Sequence, residues 1–325
     1  MNKKLAISIP TFNEISLLKK NLEILLPQVQ VHSKDVNLHV FDNNSNDDTE
    51  KYILELFQNQ SNCYYHKNDH NMGIYKNQLK CLTVKNCDFK IVMGSDDILL
   101  EDSVSHILNN LDKDFSLLFY NYYSYQNNYK DIQYTYADEN NVTFENGYDL
   151  LSYPSVGHFS GFVFNSINIE KYIDILLNKY EDSFFERHRG IIAFLSAYIC
   201  SLEDKKTLFI GKRCLATLYK KKVSYNSLEH LCIDYLDAHN ELLINNISND
   251  KDFSYRKFLV RKMLLKSSVR NLPYLSREKN YLIKKRLDFY FNDLKYKIFI
   301  LPIFYFFRIN FLRYLFRQLF NIYIK

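Results

Sequence analysis

The sequence predicts an α/β protein built on a doubly wound, mostly parallel sheet, followed by a basic, aromatic-rich helical extension. Three observations carry that reading. A short apolar run, a polar turn and a stretch with helical spacing follow one another repeatedly over roughly the first hundred residues, and strands alternating with helices in this way pair in parallel through right-handed crossovers. The run Ile91-Val92-Met93 is continuous and bounded by turn residues, which suits a strand covered on both faces. Charge is divided along the chain: Lys251 to Lys325 hold 18 Lys and Arg against 4 Asp and Glu, net +14, leaving 24 against 33, net −9, in the first 250 residues.

The first strand is Leu5 to Ile9, closed by Pro10-Thr11-Phe12-Asn13-Glu14, and Ile15, Leu18, Leu22, Leu25 and Leu26 mark the helix behind it. Val36 to Phe41 is the second strand. It runs into Asp42-Asn43-Asn44-Ser45-Asn46-Asp47-Asp48-Thr49, and Ile53, Leu54 and Phe57 mark a second helix. Cys63 to His66 is a weaker third strand, followed by Asn71-Met72-Gly73 and a helix through Leu79, Leu82 and Val84; Phe89 to Met93 is the fourth. All these polar loops fall on one edge of the sheet, where open α/β folds bind ligands, and a nucleotide is the natural occupant. No G-x-G-x-x-G follows the first strand and no GxxxxGK[ST] occurs, so neither a dinucleotide fold nor a P-loop is supported.

The fourth strand ends in Gly94-Ser95-Asp96-Asp97. Two adjacent carboxylates repel each other unless a cation or donors neutralise them, and a hard divalent ion does so while also holding a diphosphate. Taken alone, the pair reads as a helix start, with Asp97 or Asp102 capping a helix whose apolar positions are Val104, Ile107, Leu108 and Leu111. Asp42 and Asp47 read likewise as a polar turn with a cap.

ISIPTFNE, VFDNNSNDDT, NMGIYKNQ and GSDD, in that order and at these spacings, resemble the family-2 glycosyltransferases of GT-A fold. The resemblance implies an inverting transferase that uses a nucleotide-sugar donor and a divalent metal, Mn²⁺ or Mg²⁺. It places Pro10, Thr11, Asn13 and Glu14 around the nucleotide, Asp42 on the base or ribose, and Asn71, Gly73 and Lys76 at the border of the nucleoside pocket. It puts Asp96 on the ribose and Asp97 on the metal bridging the diphosphate. The chemistry agrees, since a divalent cation stabilises charge on a leaving diphosphate without a proton transfer.

Leu117 to Tyr125 and Ile132 to Tyr136 predict an antiparallel hairpin with an aromatic stripe that either fills the core or stacks on sugar rings. Gly157 to Val163 is a turn of the kind that borders the acceptor in this family, with His158 in reach of acceptor or phosphate, or simply half-buried. An inverting transfer also needs a base for the acceptor hydroxyl. In the family this comes from an ED pair followed by Arg. Glu181-Asp182-Ser183-Phe184-Phe185-Glu186-Arg187-His188-Arg189 offers Asp182 as the best match, with Glu186 and His188 as rivals; Glu181 and Glu186 also read as solvated partners of Arg187 and Arg189.

Six cysteines show no CxxC pair and no zinc spacing, which predicts reduced thiols, and the five-residue apolar run before Pro10 is too short for a signal peptide. A cytoplasmic chain is expected. Past Thr217 the pattern is helical. Ile298 to Phe307 is wholly apolar but holds only ten residues, including Pro302, against the ~20 a spanning helix needs. Asn310, Arg313, Arg317 and Asn321 then share one side of a helical wheel, with Phe311, Leu312, Leu315, Phe316, Leu319 and Phe320 around the rest. That predicts an interfacial helix on an anionic leaflet, against the alternative of packing on the catalytic domain. Nucleic acid is not expected, because no binding module is present.

The sequence therefore predicts a catalytic domain over 1–217, with a nucleotide-sugar-binding half at 1–111 and an acceptor half at 112–217, and a membrane-associating region over 218–325. The expected protein is peripheral on the inner face of the membrane, with a lipid-linked oligosaccharide of a surface polysaccharide as acceptor. Two alternatives stand beside it: a non-catalytic scaffold of the same fold that binds nucleotide or partners, and a nucleotidyltransferase. The second wants a glycine-rich basic loop after the first strand, which PTFNE is not.

Overall fold

The computed structural model describes residues 3–132, 134–135, 139–145, 150, 156, 158–170, 173 and 205–218, and further on 236, 240, 254, 277–291 and 296–306. The chain divides into two compact units, Met1–Phe185 with Ile192–Lys221, and Glu186–Ile191 with Lys222–Lys325.

In the first unit the described elements run β1 (Leu5–Thr11), α1 (Ile15–Val31), β2 (Val36–Asp42), α2 (Thr49–Phe57), β3 (Cys63–Lys67), α3 (Ile74–Cys81), β4 (Phe89–Val92), β5 (Ile98–Leu99) and α4 (Ser103–Asn110). They continue with β6 (Phe115–Tyr125), β7 (Tyr134–Thr135), β8 (Val142–Phe144), a 3₁₀ turn at Phe159–Gly161, β9 (Phe162–Asn165) and β10 (Lys206–Leu218). The strands form one sheet in the order β3-β2-β1-β4-β9-β6-β10-β5, with β7 on β6 and β8 on β10. β1 to β4 are mutually parallel, β9 enters antiparallel between β4 and β6, and β10 runs parallel to β6. Six strands, β1 to β4, β6 and β10, thus point one way. This is the expected doubly wound, mostly parallel sheet.

The apolar runs form strands because both faces of the sheet are covered. Leu5, Ile7, Ile9, Leu38, Val40, Phe89, Ile91 and Val92 are buried, and a Leu or Ile side chain so placed gains about 1.5–3 kcal/mol over an exposed one. The helices lie on the sheet by the faces their spacing sets out: Leu18, Leu22, Leu25 and Val29 of α1, and Thr49, Ile53 and Phe57 of α2, are buried.

Register brings the loops together. Thr11 pairs with Asp42, and Asp42 with Lys67, so β1, β2 and β3 end in one row. β4 stops at Val92, opposite Ser8, and the Met93 N–H still donates to the Ser8 carbonyl at 2.9 Å. The hairpin of β6 and β7 forms as expected, with Tyr123 opposite Thr135. Because β6 has β9 and β7 on one edge and β10 on the other, its Tyr120, Tyr122, Tyr123 and Tyr125 are buried and belong to the core. Cys63, Cys81, Cys87 and Cys214 carry free thiols, as expected.

Of the second unit, the described residues include α5 (Arg277–Tyr290), a π-helical turn at Tyr296–Ile300 and α6 (Leu301–Phe306). Leu236, Ile283, Leu287, Phe291, Tyr296, Ile300 and Phe304 form a cluster of their own. Among the described residues no helix is long and apolar enough to cross a membrane. The helical wheel over 310–321 lies outside the described residues.

Candidate active site

Pro10, Thr11 and Glu14 from the end of β1, Asn43 from the end of β2, Asn71 and Gly73 before α3, and Gly94, Ser95 and Asp96 after β4 line a cleft of about 380 Å³. It opens at the carboxyl ends of the parallel strands, the edge that the sequence pattern points to.

The loops are stitched to one another by polar side chains. Asn13 takes a left-handed φ of 53°, a conformation that an Asn tolerates. Its N–H donates to Ser45 Oγ at 2.9 Å and its Oδ1 accepts the Asn46 N–H at 2.9 Å. Asp47 accepts from the Ile15 N–H at 3.2 Å and from the Thr49 N–H at 3.1 Å. Partial burial would raise its carboxyl, but these bonds, chiefly those from Thr49, hold it below the usual range. Across the cleft Ser95 Oγ donates to Glu14 Oε2 at 2.5 Å.

A second network is built of asparagines. Asn43 Nδ2 donates to Asn71 Oδ1 at 2.8 Å, while Asn43 Oδ1 accepts from Asn68 Nδ2 at 3.0 Å and from the Met72 N–H at 3.0 Å. Asn68 also donates to Asn77 Oδ1 at 2.9 Å, and Asn77 Nδ2 reaches the Phe41 carbonyl at 2.9 Å. Buried amides paired in this way hold the loop before α3 against the end of β2.

The two carboxylates after β4 fold back over Gly94. A Cβ there would stand 2.9 Å from Asp96 Oδ1 and 3.0 Å from Asp97 Oδ2, so a side chain at this position would push the carboxylates aside. Asp96 faces the cleft. Asp97 lies behind it, 3% exposed. Its Oδ2 accepts from Ser160 Oγ at 2.5 Å, Ser160 Oγ accepts the Gly94 N–H at 3.0 Å, and Asn21 Nδ2 holds the Asp97 carbonyl at 2.6 Å. His158 Nδ1 stands 3.8 Å from the same Oδ2. Burial, with Asp97 and Asp96 adding to it, pushes the Tyr125 phenol up to about 12.

The expected site residues are thus divided. Pro10, Thr11, Glu14, Asn71, Gly73 and Asp96 line the cleft. Asn13 ties two loops, and Lys76, half-buried in the first turn of α3, is not among the lining residues. Asp42 takes a different place from the one expected. It is fully buried, Oδ1 accepting the Ser45 N–H at 2.9 Å and Oδ2 the Tyr65 hydroxyl at 2.6 Å, and the position on the cleft passes to Asn43. That hydrogen bond and burial raise the Tyr65 phenol well above its ordinary value. The capping alternatives fail: α4 starts after Asp102, which has φ 63° and no capping side-chain bond, and β5 separates Asp97 from it. Asp182, Glu186 and His188 lie outside the described residues.

Sequence reasoning missed Asn43, Asn77 and Ser95, each inside a motif it singled out, and it missed Asn21, whose polar side chain sits on the buried face of α1. Ser160 stood in a noted turn, but nothing in the sequence ties it to Asp97.

The donor set suits a divalent cation. Carboxylate and imidazole groups converge, and His158 Nδ1 is buried without a hydrogen-bond partner. Among the described residues no three His, Cys, Asp or Glu side chains form a group that could hold a metal ion by themselves.

A profile described as Glycosyl transferase family 2 matches residues 6–169, half of the chain. The abequosyltransferase RfbV of Salmonella typhimurium is 33% identical over 113 residues, 33% of this chain and 32% of that protein, so the match spans about a third of this relative. Among solved structures, S. aureus TarS superposes with a TM-score of 0.65 at 12% identity, over 88% of this chain and 48% of TarS. TarS 1–349 in complex with UDP-GlcNAc gives 0.57 at 13% identity, over 86% of this chain and 83% of that one.

Proposed function

The chain belongs to glycosyl transferase family 2, and from that premise we propose that it is an inverting, metal-dependent glycosyltransferase. It moves a sugar from a nucleotide-sugar donor to a lipid-linked saccharide acceptor in surface-polysaccharide synthesis. Its fold is GT-A, and the observation that carries the reading is the cleft itself: four motif-bearing loops at the carboxyl edge of β1, β2, β3 and β4, with Asp96 on its surface and Asp97 behind. The abequosyltransferase relative supports sugar transfer, and the UDP-GlcNAc complex of a protein of the same fold supports a nucleotide-sugar donor.

In this reading Pro10, Thr11, Asn43, Asn71 and Gly73 receive the nucleoside, Asp96 bonds the ribose, and Asn13 and Asp42 hold the loops that shape the pocket. Asp97 would hold the divalent ion, which when bound neutralises charge on the departing diphosphate. Attack of the acceptor hydroxyl opposite the leaving group inverts the anomeric centre, and the hydroxyl proton passes to a carboxylate. We assign that role to Asp182, with Glu186 and His188 as the competing groups. Residues 1–217 carry the chemistry, and the basic stretch from 218 onward holds the enzyme at the inner face of the membrane, beside its acceptor.

The test is a thermal-shift and calorimetric panel of nucleotide sugars with Mn²⁺ or Mg²⁺. A donor present at a hundred times its dissociation constant stabilises by ~2.7 kcal/mol. One nucleotide sugar shifting the melt only with metal, and turned over on a saccharide acceptor, is the expected result. Metal-dependent nucleotide binding with no turnover on any acceptor would mark a scaffold instead.

A further inference from the structure

We infer that the base of the donor nucleotide carries an exocyclic amine beside an unprotonated ring nitrogen, the edge that cytosine and adenine share and that uracil and guanine lack. The inference rests on the transferase reading, in which Thr11, Asn43 and Asn71 receive the nucleoside, and names the class of nucleoside they take.

Hydrogen-bond logic fixes which way each amide of the asparagine network points. Lys80 Nζ can only donate, and it reaches Asn68 at 2.6 Å, so the atom it meets is Oδ1 and the other arm of that amide is Nδ2. Asn68 Nδ2 then donates to Asn43 at 3.0 Å and to Asn77 at 2.9 Å, which makes both of those atoms carbonyl oxygens. The Met72 N–H meets the same Asn43 oxygen at 3.0 Å. Asn43 is left to turn Nδ2 to Asn71 Oδ1 at 2.8 Å, and the Gly73 N–H meets that oxygen at 2.9 Å. Each assignment traces back to a lysine or a backbone N–H, groups that never accept.

What the network leaves over sets the character of this wall. An amide oxygen accepts two hydrogen bonds, and Asn43 Oδ1 and Asn71 Oδ1 each hold two already. Asn43 keeps one N–H and Asn71 two that meet no acceptor among the described residues. Both residues line the cleft, so their side chains present donors only. A protonated ring nitrogen, N3 of uracil or N1 of guanine, would set N–H against N–H there, whereas N3 of cytosine or N1 of adenine accepts. Thr11 lines the same cleft, 3% exposed, and its Oγ1 is buried without a hydrogen-bond partner. A hydroxyl accepts as well as donates, which suits it to the exocyclic amine. The carboxylates of the cleft serve elsewhere: Glu14 takes the Ser95 hydroxyl, and Asp96 is assigned to the ribose.

The test uses the full chain and nucleoside diphosphates, so that the sugar need not be known. Calorimetry in the presence of Mn²⁺ is expected to show CDP or ADP binding at least about tenfold more tightly than both UDP and GDP, the effect of leaving a buried donor without an acceptor. The tighter of the two identifies the base. Its deaza analogue, 3-deaza-CDP or 1-deaza-ADP, puts C–H in place of the accepting nitrogen and should bind wild-type protein at least about tenfold more weakly. Asn43→Asp puts an acceptor where the spare N–H stood, and should move the preference at least about tenfold towards UDP. Where that variant folds poorly, the deaza pair on wild-type protein decides. UDP or GDP bound as tightly as CDP and ADP, a deaza analogue bound as well as its parent, or an unchanged preference in folded Asn43→Asp would each overturn the inference and leave the transferase reading standing. A CDP or ADP preference without sugar transfer would keep the inference and defeat that reading. No binding of any nucleoside diphosphate would overturn both.

Discussion

Three aspartates of the site differ in what surrounds them. Asp96 opens to the cleft, Asp97 is buried behind it under Ser160, and Asp42 is sealed with both oxygens bonded inside the protein. Asp97→Asn keeps the shape and removes the charge, so metal-dependent turnover should be lost while the melting curve stays, as enzyme assay beside calorimetry will report. Asp42→Ala should act on the fold first. It leaves the Ser45 N–H and the Tyr65 hydroxyl without their acceptor, a loss of about 1–3 kcal/mol readable as a lower urea midpoint. Asp182→Asn should slow transfer by ~10²–10⁴-fold with donor affinity little changed; if Glu186→Gln or His188→Gln does so instead, the base is the other residue.

At the scale of elements, the pairing of β2 with β3 carries a pH dependence. His39 is 7% exposed and stacks on Tyr64 with centroids 4.7 Å apart, and its Nδ1 meets His66 Nε2 at 3.0 Å. Burial, and then the charge of His66, push the His39 imidazole down to about 4. Burial lowers His66 as well, with Lys80 adding to it. Both rings are therefore neutral in the fold and take up protons more readily on unfolding. Stability should be complete above pH ~6.5 and fall towards pH 4 as the unfolded state gains protons that the fold refuses. The His39 share is roughly 2–4 kcal/mol by linkage. Urea midpoints between pH 7 and 4 test this, and His39→Leu should flatten the slope; an equal slope in that variant would place the acid sensitivity elsewhere.

For the molecule as a whole, the question is what the basic second unit meets. Its described part has a core of its own, in which Tyr296, Ile300 and Phe304 join Ile283 and Leu287. Removing the chain from Leu294 onward would strip Tyr296, Ile300 and Phe304 from that cluster, so point changes on the exterior test the membrane reading more cleanly. Phe289 is 74% and Phe299 62% exposed, with Tyr281, Leu282, Ile298 and Tyr305 also exposed, and Lys285 and Lys297 exposed among them. Apolar side chains beside lysines suit an anionic interface, where each basic residue is worth ~1 kcal/mol and salt screens it. A Phe289→Ser and Phe299→Ser double variant should lose co-sedimentation with anionic vesicles at low salt while its melting curve and donor binding persist. Wild-type protein that ignores vesicle charge would leave these residues to another role.

By itself the sequence determined the strand–turn–helix order, the edge where the polar loops gather, and the four motifs that carry the family. Continuous apolar runs and helical spacing act over a few residues, and their consequences are local. Pro10, Thr11, Glu14, Asn71, Gly73 and Asp96 came from those motifs onto one cleft because parallel register aligns strand ends. Tertiary structure decided the rest. The insertion of β9 between β4 and β6 brings Ser160 and His158 to Asp97 across some sixty residues of chain, and the same strand pairing puts the tyrosines of β6 in the core. Asp42 and Asn43, neighbours in one motif, part company because alternate residues leave an extended chain on opposite sides: Asp42 is bonded to Tyr65 inside the protein while Asn43 lines the cleft. Contacts made at such separations depend on which strands become neighbours, a choice settled by the burial of whole sheet faces rather than by any stretch of sequence.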